Sequence, residues 1–229
     1  MAVLEAKHVS KLYAVRGIET LALHEVSLAV GAGEFVALAG PSGSGKTTLL
    51  NLFGALDAPT TGVVEIDGQD LARLSRARLA ALRLAKLGFV FQAFNLIPVL
   101  TARENVEFVM ELQGVPAAER RERANAQLAE LGNAELAEKR PLEMSGGQQQ
   151  RVAIARAIVS QPRVVLADEP TANLDSVTAE KLLDQMERLN RERGVTFVFS
   201  THDSRVIERA RRVVRLHDGA VIADEHAAP

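Results

Sequence analysis

The sequence lacks several features that mark particular classes of protein. None of its 229 residues is cysteine, which excludes disulfides and thiolate metal sites and fits a reducing compartment. No apolar run approaches eighteen residues, so no transmembrane helix is expected. The first residues, Met1 to Glu5, do not have the charged-then-apolar pattern of a signal peptide. Any link to a membrane is therefore expected to come through a partner.

An excess of charge of one sign is also missing. The chain has 27 basic and 29 acidic residues, a net charge of −2, so its total charge does not predict non-specific binding to nucleic acid. Several arginines after residue 70 alternate with Glu and Ala at helical spacing, which favours a solvated helix face over a nucleic-acid surface. These are Arg73, Arg76, Arg78, Arg83, Arg120, Arg121 and Arg123. No nucleic-acid partner is expected.

What the sequence does contain is a phosphate-binding loop. Residues 40–47 fit G-x-x-x-x-G-K-[ST] and lie between the apolar run 35–39 and a helix-like stretch from residue 49. The glycines permit backbone angles that turn N–H groups toward one point, and the helix adds its free N-terminal donors. The alternative is a Gly/Ser-rich turn without a ligand, but the spacing and the context favour a nucleoside triphosphate. The residues predicted to bind it are Gly40, Pro41, Ser42, Gly43, Ser44, Gly45, Lys46, Thr47 and Thr48.

Four residues in and after the loop are suited to bind Mg²⁺ and to hydrolyse the nucleotide. Lys46 supplies a cation for the β- and γ-phosphates, and the Thr47 hydroxyl is suited to ligate Mg²⁺. Asp168 follows the apolar run 164–167, which predicts a carboxylate at a strand end near the same ion, as in a Walker B motif. Glu169 is then suited to orient and polarise a water molecule. The paired acids therefore predict hydrolysis rather than transfer to another substrate, although an acidic turn after a strand is the plainer alternative.

Residues 145–148 form a second predicted helix N-terminus that contains glycines. Ser145 and Gln148 have the S-x-x-Q form of a capping box, and Gly146 and Gly147 lie between them. Such a helix terminus can bind an anion. On capping chemistry alone, an ordinary capped helix is the favoured interpretation, and only the other motifs favour a functional one.

The order of predicted elements indicates an α/β protein. Residues 2–40 have the period-two pattern of short strands, and residues from Leu71 to about Ile158 are predicted to form, in large part, a helical insert. Strand-like runs at 164–167 and 195–199 flank an amphipathic helix from about Thr178 to Arg193, which predicts a parallel sheet. A final hairpin is expected around Asp218-Gly219. The apolar positions of the early strands are Leu21, Leu23, Val26, Leu28 and Val30.

Taken together, the motifs resemble those of the nucleotide-binding subunit of ATP-binding cassette (ABC) transporters. The resemblance rests on the phosphate loop, Met144 to Gln148, Asp168-Glu169 and Asn173 to Asp175, which occur in family order. It spans nearly the whole chain. It implies an α/β fold with a P-loop NTPase (RecA-like) core, an N-terminal antiparallel β subdomain and an α-helical subdomain insert. A single domain is expected over 1–229, with the core at about 1–92 and 162–229 and the helical subdomain at about 93–161.

The resemblance also implies roles for individual residues, with ATP and Mg²⁺ as cofactors. Tyr13 matches the aromatic residue that stacks on adenine, although a half-buried strand tyrosine is a plausible alternative. Gln92 matches the glutamine that reaches Mg²⁺ and the water, and His202 matches the histidine that contacts the γ-phosphate. The expected catalytic residues are thus Glu169, His202, Gln92 and Lys46, and the expected metal ligands are Thr47, Gln92 and Asp168.

The expected partners follow from the same resemblance. Residues Ser145, Gly146, Gly147 and Gln148 of one chain are expected to complete the ATP site of a second copy, with Asp175 crossing the interface. An integral membrane permease is expected to contact the region from Gln92 to Glu104. The chain is thus expected in the cytoplasm, peripheral on the inner face of the cell membrane.

Several segments are similar to the lipoprotein-release and macrolide-export branch of the family. The sequence departs from that branch at Ala172, where Gly is usual, and from the family at Met144, where Leu is usual. The alternatives are an importer subunit, a soluble ABC protein of translation or DNA maintenance, and a cassette without turnover. The last is disfavoured by the intact catalytic residues, and the soluble class usually has two cassettes or a long coiled-coil insert. The transported substrate is not encoded in this chain.

Overall fold

The protein contains two β-sheets and seven α-helices within residues 2–15 and 17–226, which are the residues that the computed structural model describes. The strands are β1 (Ala2–Val15), β2 (Ile18–Gly31), β3 (Phe35–Ala39), β4 (Thr61–Ile66), β5 (Gln69–Asp70), β6 (Leu87–Val90), β7 (Val164–Asp168), β8 (Thr196–Thr201), β9 (Arg212–His217) and β10 (Ala220–His226). The helices are α1 (Lys46–Phe53), α2 (Arg76–Lys86), α3 (Ala102–Leu112), α4 (Ala117–Glu130), α5 (Gly146–Ile158), α6 (Ser176–Arg193) and α7 (Ser204–Arg209).

The first sheet is antiparallel, with strand order β2-β1-β4-β5. The expectation of short strands was wrong, because β1 and β2 have 14 residues each. The period-two pattern is interrupted between Leu23 and Val26, where Glu25 has a positive φ of 47° and the pairing register shifts. Leu23, Val26 and Val30 remain buried, whereas Leu21 is exposed. The long strands β1 and β2 therefore contain register shifts, and these interrupt the period-two pattern so that it resembles several short strands.

The second sheet has the order β10-β9-β3-β8-β7-β6, and its strands are parallel except at the β10 edge. All five residues of β3 are buried, as expected for a parallel strand covered on both faces. The carboxyl ends of β3, β7 and β8 meet at one edge, since Ala39 is paired with Thr201 and Asp168 with Ser200. The phosphate loop directly follows β3, Asp168 is the last residue of β7, and Glu169 comes next.

Alternate residues of the central strands face two hydrophobic cores. In β7, Val164 and Leu166 pack in the core beneath the antiparallel sheet and α1, whereas Val165 and Ala167 pack against the helices. The helical core also contains Val106 of α3 and Ile154 of α5. The parallel sheet is therefore the middle layer between the antiparallel sheet and the helices, and it fixes the position of the loops at its edge.

The start of the helical insert that spacing predicts, Leu71, is too early. Helix α2 contributes Leu82 to the core shared with the antiparallel sheet, and β6 joins the parallel sheet beside β7. Glycine at position 88 allows β6 to approach α5, because a Cβ there would lie 2.2 Å from the Ala157 carbonyl oxygen. Leu71 to Val90 therefore precede the helices of the second core, which begin with α3.

Two short-range features have the geometry that their residues favour. Thr101 and Glu104 form a reciprocal capping box at the start of α3. Asp218 and Gly219 both have positive φ, 46° and 78°, as a type I′ hairpin turn requires. None of the helices in the described ranges combines the length and hydropathy that crossing a bilayer requires.

Candidate nucleotide-binding site

The phosphate loop connects β3 to α1. Gly45 caps α1 with φ 99° and ψ 0°, and Gly43 also has a positive φ of 81°. The backbone N–H groups of residues 45–48 have no hydrogen-bond acceptor in the described part of the chain. Unpaired donors at the positive end of a helix form an anion-binding site. The loop has the geometry that its sequence predicts.

Distant strands support this loop from behind. The Gly219 N–H donates to the Ser44 carbonyl at 3.1 Å, and the His24 N–H donates to the Gly219 carbonyl at 2.8 Å. A Cβ at Gly45 would lie 2.6 Å from the Ala22 carbonyl oxygen, and one at Gly40 would lie 2.2 Å from that of Leu216. The β9–β10 turn and β2 therefore restrict the loop. The glycine spacing predicts a close approach, but it does not identify these neighbours.

Lys46 is folded onto the loop itself. Its ammonium donates to the carbonyl oxygens of Gly40 at 2.8 Å and Pro41 at 2.9 Å, and the residue is buried. Ser44 is only 2% exposed, and its Oγ has no partner among the described residues. The interior of the loop thus holds a cation and an unpaired hydroxyl, both of which suit phosphate oxygens.

Thr47 and Asp168 meet as predicted. The Thr47 hydroxyl lies 3.1 and 3.2 Å from the two carboxylate oxygens of Asp168, across 121 residues of sequence. Both are hard oxygen donors of the type that Mg²⁺ prefers. No cluster of three or more His, Cys, Asp or Glu side chains suited to a metal occurs in the described residues. These oxygens fit an ion that shares its coordination with nucleotide phosphates and water.

Glu169 and His202 form a second pair beside the first. Nδ1 of His202 lies 2.7 Å from Glu169 Oε1, and the Thr201 hydroxyl donates to Oε2 at 3.2 Å. A carboxylate oxygen can only accept, so Nδ1 carries the hydrogen. The side chain of Glu169 is 14% exposed and that of His202 is 67% exposed. The carboxylate is therefore fixed, and the imidazole projects into solvent.

Asp203, the residue after His202, holds together the segments around Glu169 and His202, and this role was not predicted from the sequence. Asp203 accepts from the Arg205 guanidinium and from the Thr171 hydroxyl at 2.6 Å. Hydrogen bonds from Arg205 are the main cause that lowers the pKa of Asp203 from 3.8 to about 2, against the opposing effect of burial. Asp203 also caps the short helix α7. A charged Asp203 thus connects the segment after Glu169 to the end of β8.

Gln92 lies at the same edge but forms no hydrogen bond with the Thr47–Asp168 pair within the described chain. It follows β6 and is exposed, and its backbone carbonyl accepts from the Asn173 amide at 2.8 Å. The hydrogen bonds of Thr47 and Asp168 within the described chain do not include the Gln92 amide. The predicted role of Gln92 at the ion remains a prediction.

The stretch 145–148 has its own set of contacts, separate from those of the phosphate loop. Ser145 and Gln148 form the predicted capping box, with the Ser145 N–H donating to Gln148 Oε1 at 2.8 Å. A Cβ at Gly147 would lie 2.4 Å from Thr178, whose hydroxyl donates to Asp175 at 2.6 Å. The hydrogen bonds from the Thr178 hydroxyl and backbone N–H lower the pKa of Asp175. Residues 145–148 and Asp175 thus lie together, and none of their hydrogen bonds in the described chain reaches the phosphate loop.

Tyr13 lies in β1, beside the segment that follows α1. Its hydroxyl donates to Asp57 at 2.9 Å, and the Lys11 ammonium lies 4.8 Å from the ring centroid. The ring is partly exposed. Its partners were not predicted, because nothing in the local pattern relates residue 13 to residue 57.

Comparison with known proteins agrees with this geometry. A family profile described as ABC transporter matches residues 23–172, well over half of the chain. The chain belongs to the ABC transporter family. One solved structure is the dimer of the ATP-binding cassette MJ0796 in a post-hydrolysis state, bound to ADP and Pi. This chain superimposes on it with a TM-score of 0.92, which confirms the predicted fold class. That cassette is 44% identical, and the match covers 99% of each chain.

Two curated relatives refine the family assignment. The macrolide export ATP-binding/permease protein MacB of Syntrophobacter fumaroxidans is 48% identical over 223 residues, which cover 96% of this chain but only 31% of the relative. The lipoprotein-releasing system ATP-binding protein LolD of Anaeromyxobacter dehalogenans is 47% identical over 222 residues, which cover 96% of this ABC cassette and 93% of the relative. The chain thus spans about a third of the first relative and nearly all of the second.

Proposed function

We propose that this ABC cassette is the ATP-hydrolysing subunit of a membrane transporter, which acts as a dimer and drives a separate permease. The observation that carries the proposal is the convergence at one sheet edge of an anion-binding loop, the Thr47–Asp168 pair and the Glu169–His202 pair. A phosphate cradle alone suits many nucleotide enzymes. A fixed carboxylate next to it suits activation of water.

In this proposal the phosphates of ATP bind to the N–H groups of residues 45–48. Lys46 exchanges its contacts with Gly40 and Pro41 for phosphate oxygens, which are stronger acceptors because they are charged. The adenine stacks on Tyr13, which is partly exposed in β1. Binding thus uses the loop for the phosphates and the antiparallel sheet for the base.

Thr47, Asp168 and Gln92 are the residues proposed to hold Mg²⁺, and the contact between the first two supports this. When bound, the ion neutralises charge on the phosphates. Gln92 has to turn toward the ion from its present position. Its place at the end of β6, next to β7 and Asp168, is consistent with such a movement.

Hydrolysis in this proposal begins with Glu169, whose carboxylate accepts a hydrogen bond from water and polarises it. The water oxygen bonds to the γ-phosphorus while its proton passes to Glu169, and the bond from that phosphorus to the β–γ bridging oxygen breaks with its electron pair staying on ADP, giving ADP and phosphate. His202 contacts the γ-phosphate through Nε2. For Nε2 to donate while Nδ1 still bonds to Glu169, the imidazole must carry both protons.

The proposed dimer is supported by the lack of hydrogen bonds between residues 145–148 and the phosphate loop of the same chain. Residues 145–148 begin a capped helix and yet make no hydrogen bond to the phosphate loop of their own described chain. We infer that they bind the γ-phosphate held by a second copy, with Asp175 crossing between the chains. The similar cassette MJ0796 is dimeric. The core at about 1–92 and 162–229 and a helical subdomain at about 93–161 then contribute opposite faces of each site.

The permease is expected to bind near residues 92–104. Val99 there is 73% exposed. A groove of about 190 Å³, whose lining includes Asn95 of the same region, is also lined by Phe89, Phe91, Val109 and Arg156. An apolar segment of a membrane partner fits this surface. Such a partner would hold the chain at the cytoplasmic face of the membrane, and the names of the relatives support macrolide export or lipoprotein release as the work done.

Phosphate release by the purified chain with ATP and Mg²⁺ tests the proposed activity. We expect Glu169→Gln to lower the rate by about a hundredfold or more while ATP binding is retained, because the amide cannot polarise water as a carboxylate does. Glu122→Gln on the exposed surface of α4 is the matched control and should leave the rate unchanged. Equal rates for the wild type and Glu169→Gln would refute the assignment.

A further inference from the structure

Three side chains meet near the carboxyl end of α1. Asp57, in the segment after this helix, accepts from the Lys11 ammonium at 2.7 Å with one oxygen and from the Tyr13 hydroxyl at 2.9 Å with the other. The Lys11 ammonium also donates to the Ala58 carbonyl at 2.7 Å. Both carboxylate oxygens of Asp57 are therefore used to connect two residues of β1 to the segment that follows α1.

The alternation of β1 explains how one carboxylate reaches both residues. Positions 11 and 13 lie two apart in the strand, and their side chains reach the same carboxylate, so both lie on one face of the sheet despite the register shift between Lys11 and Leu12. The Lys11 ammonium lies 4.8 Å from the Tyr13 centroid, within the range of a cation–π contact. It covers one face of the ring, which leaves the opposite face as the one on which a planar base can stack.

The charges of the cluster agree with this geometry. Burial raises the pKa of Asp57, but hydrogen bonds from Lys11, Ala58 and Tyr13 outweigh it and hold the pKa below its usual value. Burial and the hydrogen bond to Asp57 raise the pKa of the Tyr13 hydroxyl. Tyr13 therefore remains a neutral donor to an ionised carboxylate.

We propose that Asp57, held by Lys11, is a positioning residue that fixes the Tyr13 ring for the adenine of ATP. The inference rests on the proposed role of Tyr13 in base binding. An unrestrained ring loses rotational freedom when a base stacks on it, and this loss weakens binding. The hydrogen bond to Asp57 removes that freedom before the nucleotide arrives. Asp57 thus contributes to affinity for the base without touching it.

Calorimetric titration with ATP and with tripolyphosphate, which has no base, separates this role from a general effect on the phosphate loop. We expect Asp57→Asn, Lys11→Met and Tyr13→Phe each to weaken ATP binding by about threefold to tenfold. Tripolyphosphate binding should not change. Asp57→Glu, which keeps the charge, should recover part of the ATP affinity.

The matched control is Asp67→Asn. Asp67 forms a comparable ion pair with Lys86 at 2.7 Å, in the loop after β4 of the same antiparallel sheet. Its removal should leave the affinity for both ligands unchanged. A loss equal to that of Asp57→Asn would mean that any broken ion pair in this sheet weakens binding, and it would overturn the inference.

Tyrosine emission gives a direct signal from the ring. The chain has one tyrosine and no tryptophan, so emission excited at tyrosine wavelengths reports Tyr13 alone. We expect the emission of Asp57→Asn to differ from that of the wild type before ATP is added, because the carboxylate contact is lost. An unchanged emission spectrum would contradict the positioning role even if the variant bound ATP more weakly.

The outcomes distinguish a failure of the proposed base binding by Tyr13 from a failure of the proposed positioning by Asp57. If Tyr13→Ala binds ATP as tightly as the wild type, Tyr13 does not bind the base, and the proposed role itself fails. If Tyr13→Ala weakens ATP alone and Asp57→Asn changes neither ligand, only the positioning inference is overturned. If Asp57→Asn weakens ATP and tripolyphosphate equally, the residue acts through the fold. Should Asp57→Asn not fold, Tyr13→Phe tests the same hydrogen bond from its other end.

Discussion

Replacing Gly45 by alanine tests whether distant strands restrict the phosphate loop. At φ 99° an L-residue is strained by about 1–2 kcal/mol. The added Cβ would also lie 2.6 Å from the Ala22 carbonyl oxygen and 2.8 Å from Leu23 Cδ2. Because the first of these atoms is backbone of β2, it cannot move alone, and overpacking of this kind costs about 1–3 kcal/mol. The total expected loss of unfolding free energy is therefore about 2–5 kcal/mol.

Gly43 provides the matched control. Its φ is also positive, 81°, but a Cβ there would meet nothing within 4 Å. Gly43→Ala should therefore lose only the backbone term, about 1–2 kcal/mol. Both variants lie in the loop and add the same methyl group. The difference between them isolates the contact with β2.

Urea unfolding followed by circular dichroism, without nucleotide, measures both losses. We expect Gly45→Ala to unfold at a clearly lower urea concentration than Gly43→Ala, with a difference in free energy of about 1–3 kcal/mol. Equal midpoints for the two variants would refute the claim that β2 confines the loop. The phosphate cradle would then depend on its own glycines alone.

Three further predictions concern the site edge and the helical region. Thr47→Val should raise the Mg²⁺ concentration for half-maximal phosphate release by about tenfold or more without changing thermal stability, and an unchanged requirement would exclude the hydroxyl as a ligand. Asp203 has a folded pKa of about 2, below its ordinary 3.8, so its stabilisation of about 2 kcal/mol is present above pH 4 and is lost as the pH falls toward 2. Acid titration of unfolding free energy should show this loss in the wild type and not in Asp203→Asn. Thr101→Ala removes the capping box of α3 and should lower the unfolding free energy by about 1 kcal/mol, whereas a loss near zero would mean that water replaces the cap.

The parts of the site that the sequence predicts are those that local spacing encodes. The turn from β3 into α1, the carboxylate after β7 and the cap of α5 each depend on residues within a few positions of one another. The pairing of Thr47 with Asp168 could also be predicted, because parallel strands bring their carboxyl ends to one edge.

Other features depend on contacts that no local pattern contains. Gly219 supports a loop that precedes it by about 175 residues, and Asp57 holds a tyrosine 44 residues away. The length of β1 and β2 was misjudged because bulges break the alternation that marks a strand. Spacing alone started the helical insert at Leu71, before β6, because a four-residue apolar run between helices does not reveal its pairing partner.

The central claim is that one chain holds only part of the catalytic site and that ATP joins two copies. Light scattering of Glu169→Gln measures this directly, since the variant is expected to retain ATP without hydrolysing it. We predict the 24.7 kDa mass of one chain without nucleotide and twice that mass with ATP. Adding Ser145→Arg should keep the mass at that of one chain, although ATP still binds. A Glu169→Gln protein that remains monomeric with bound ATP, or a double variant that still dimerises, would contradict the account.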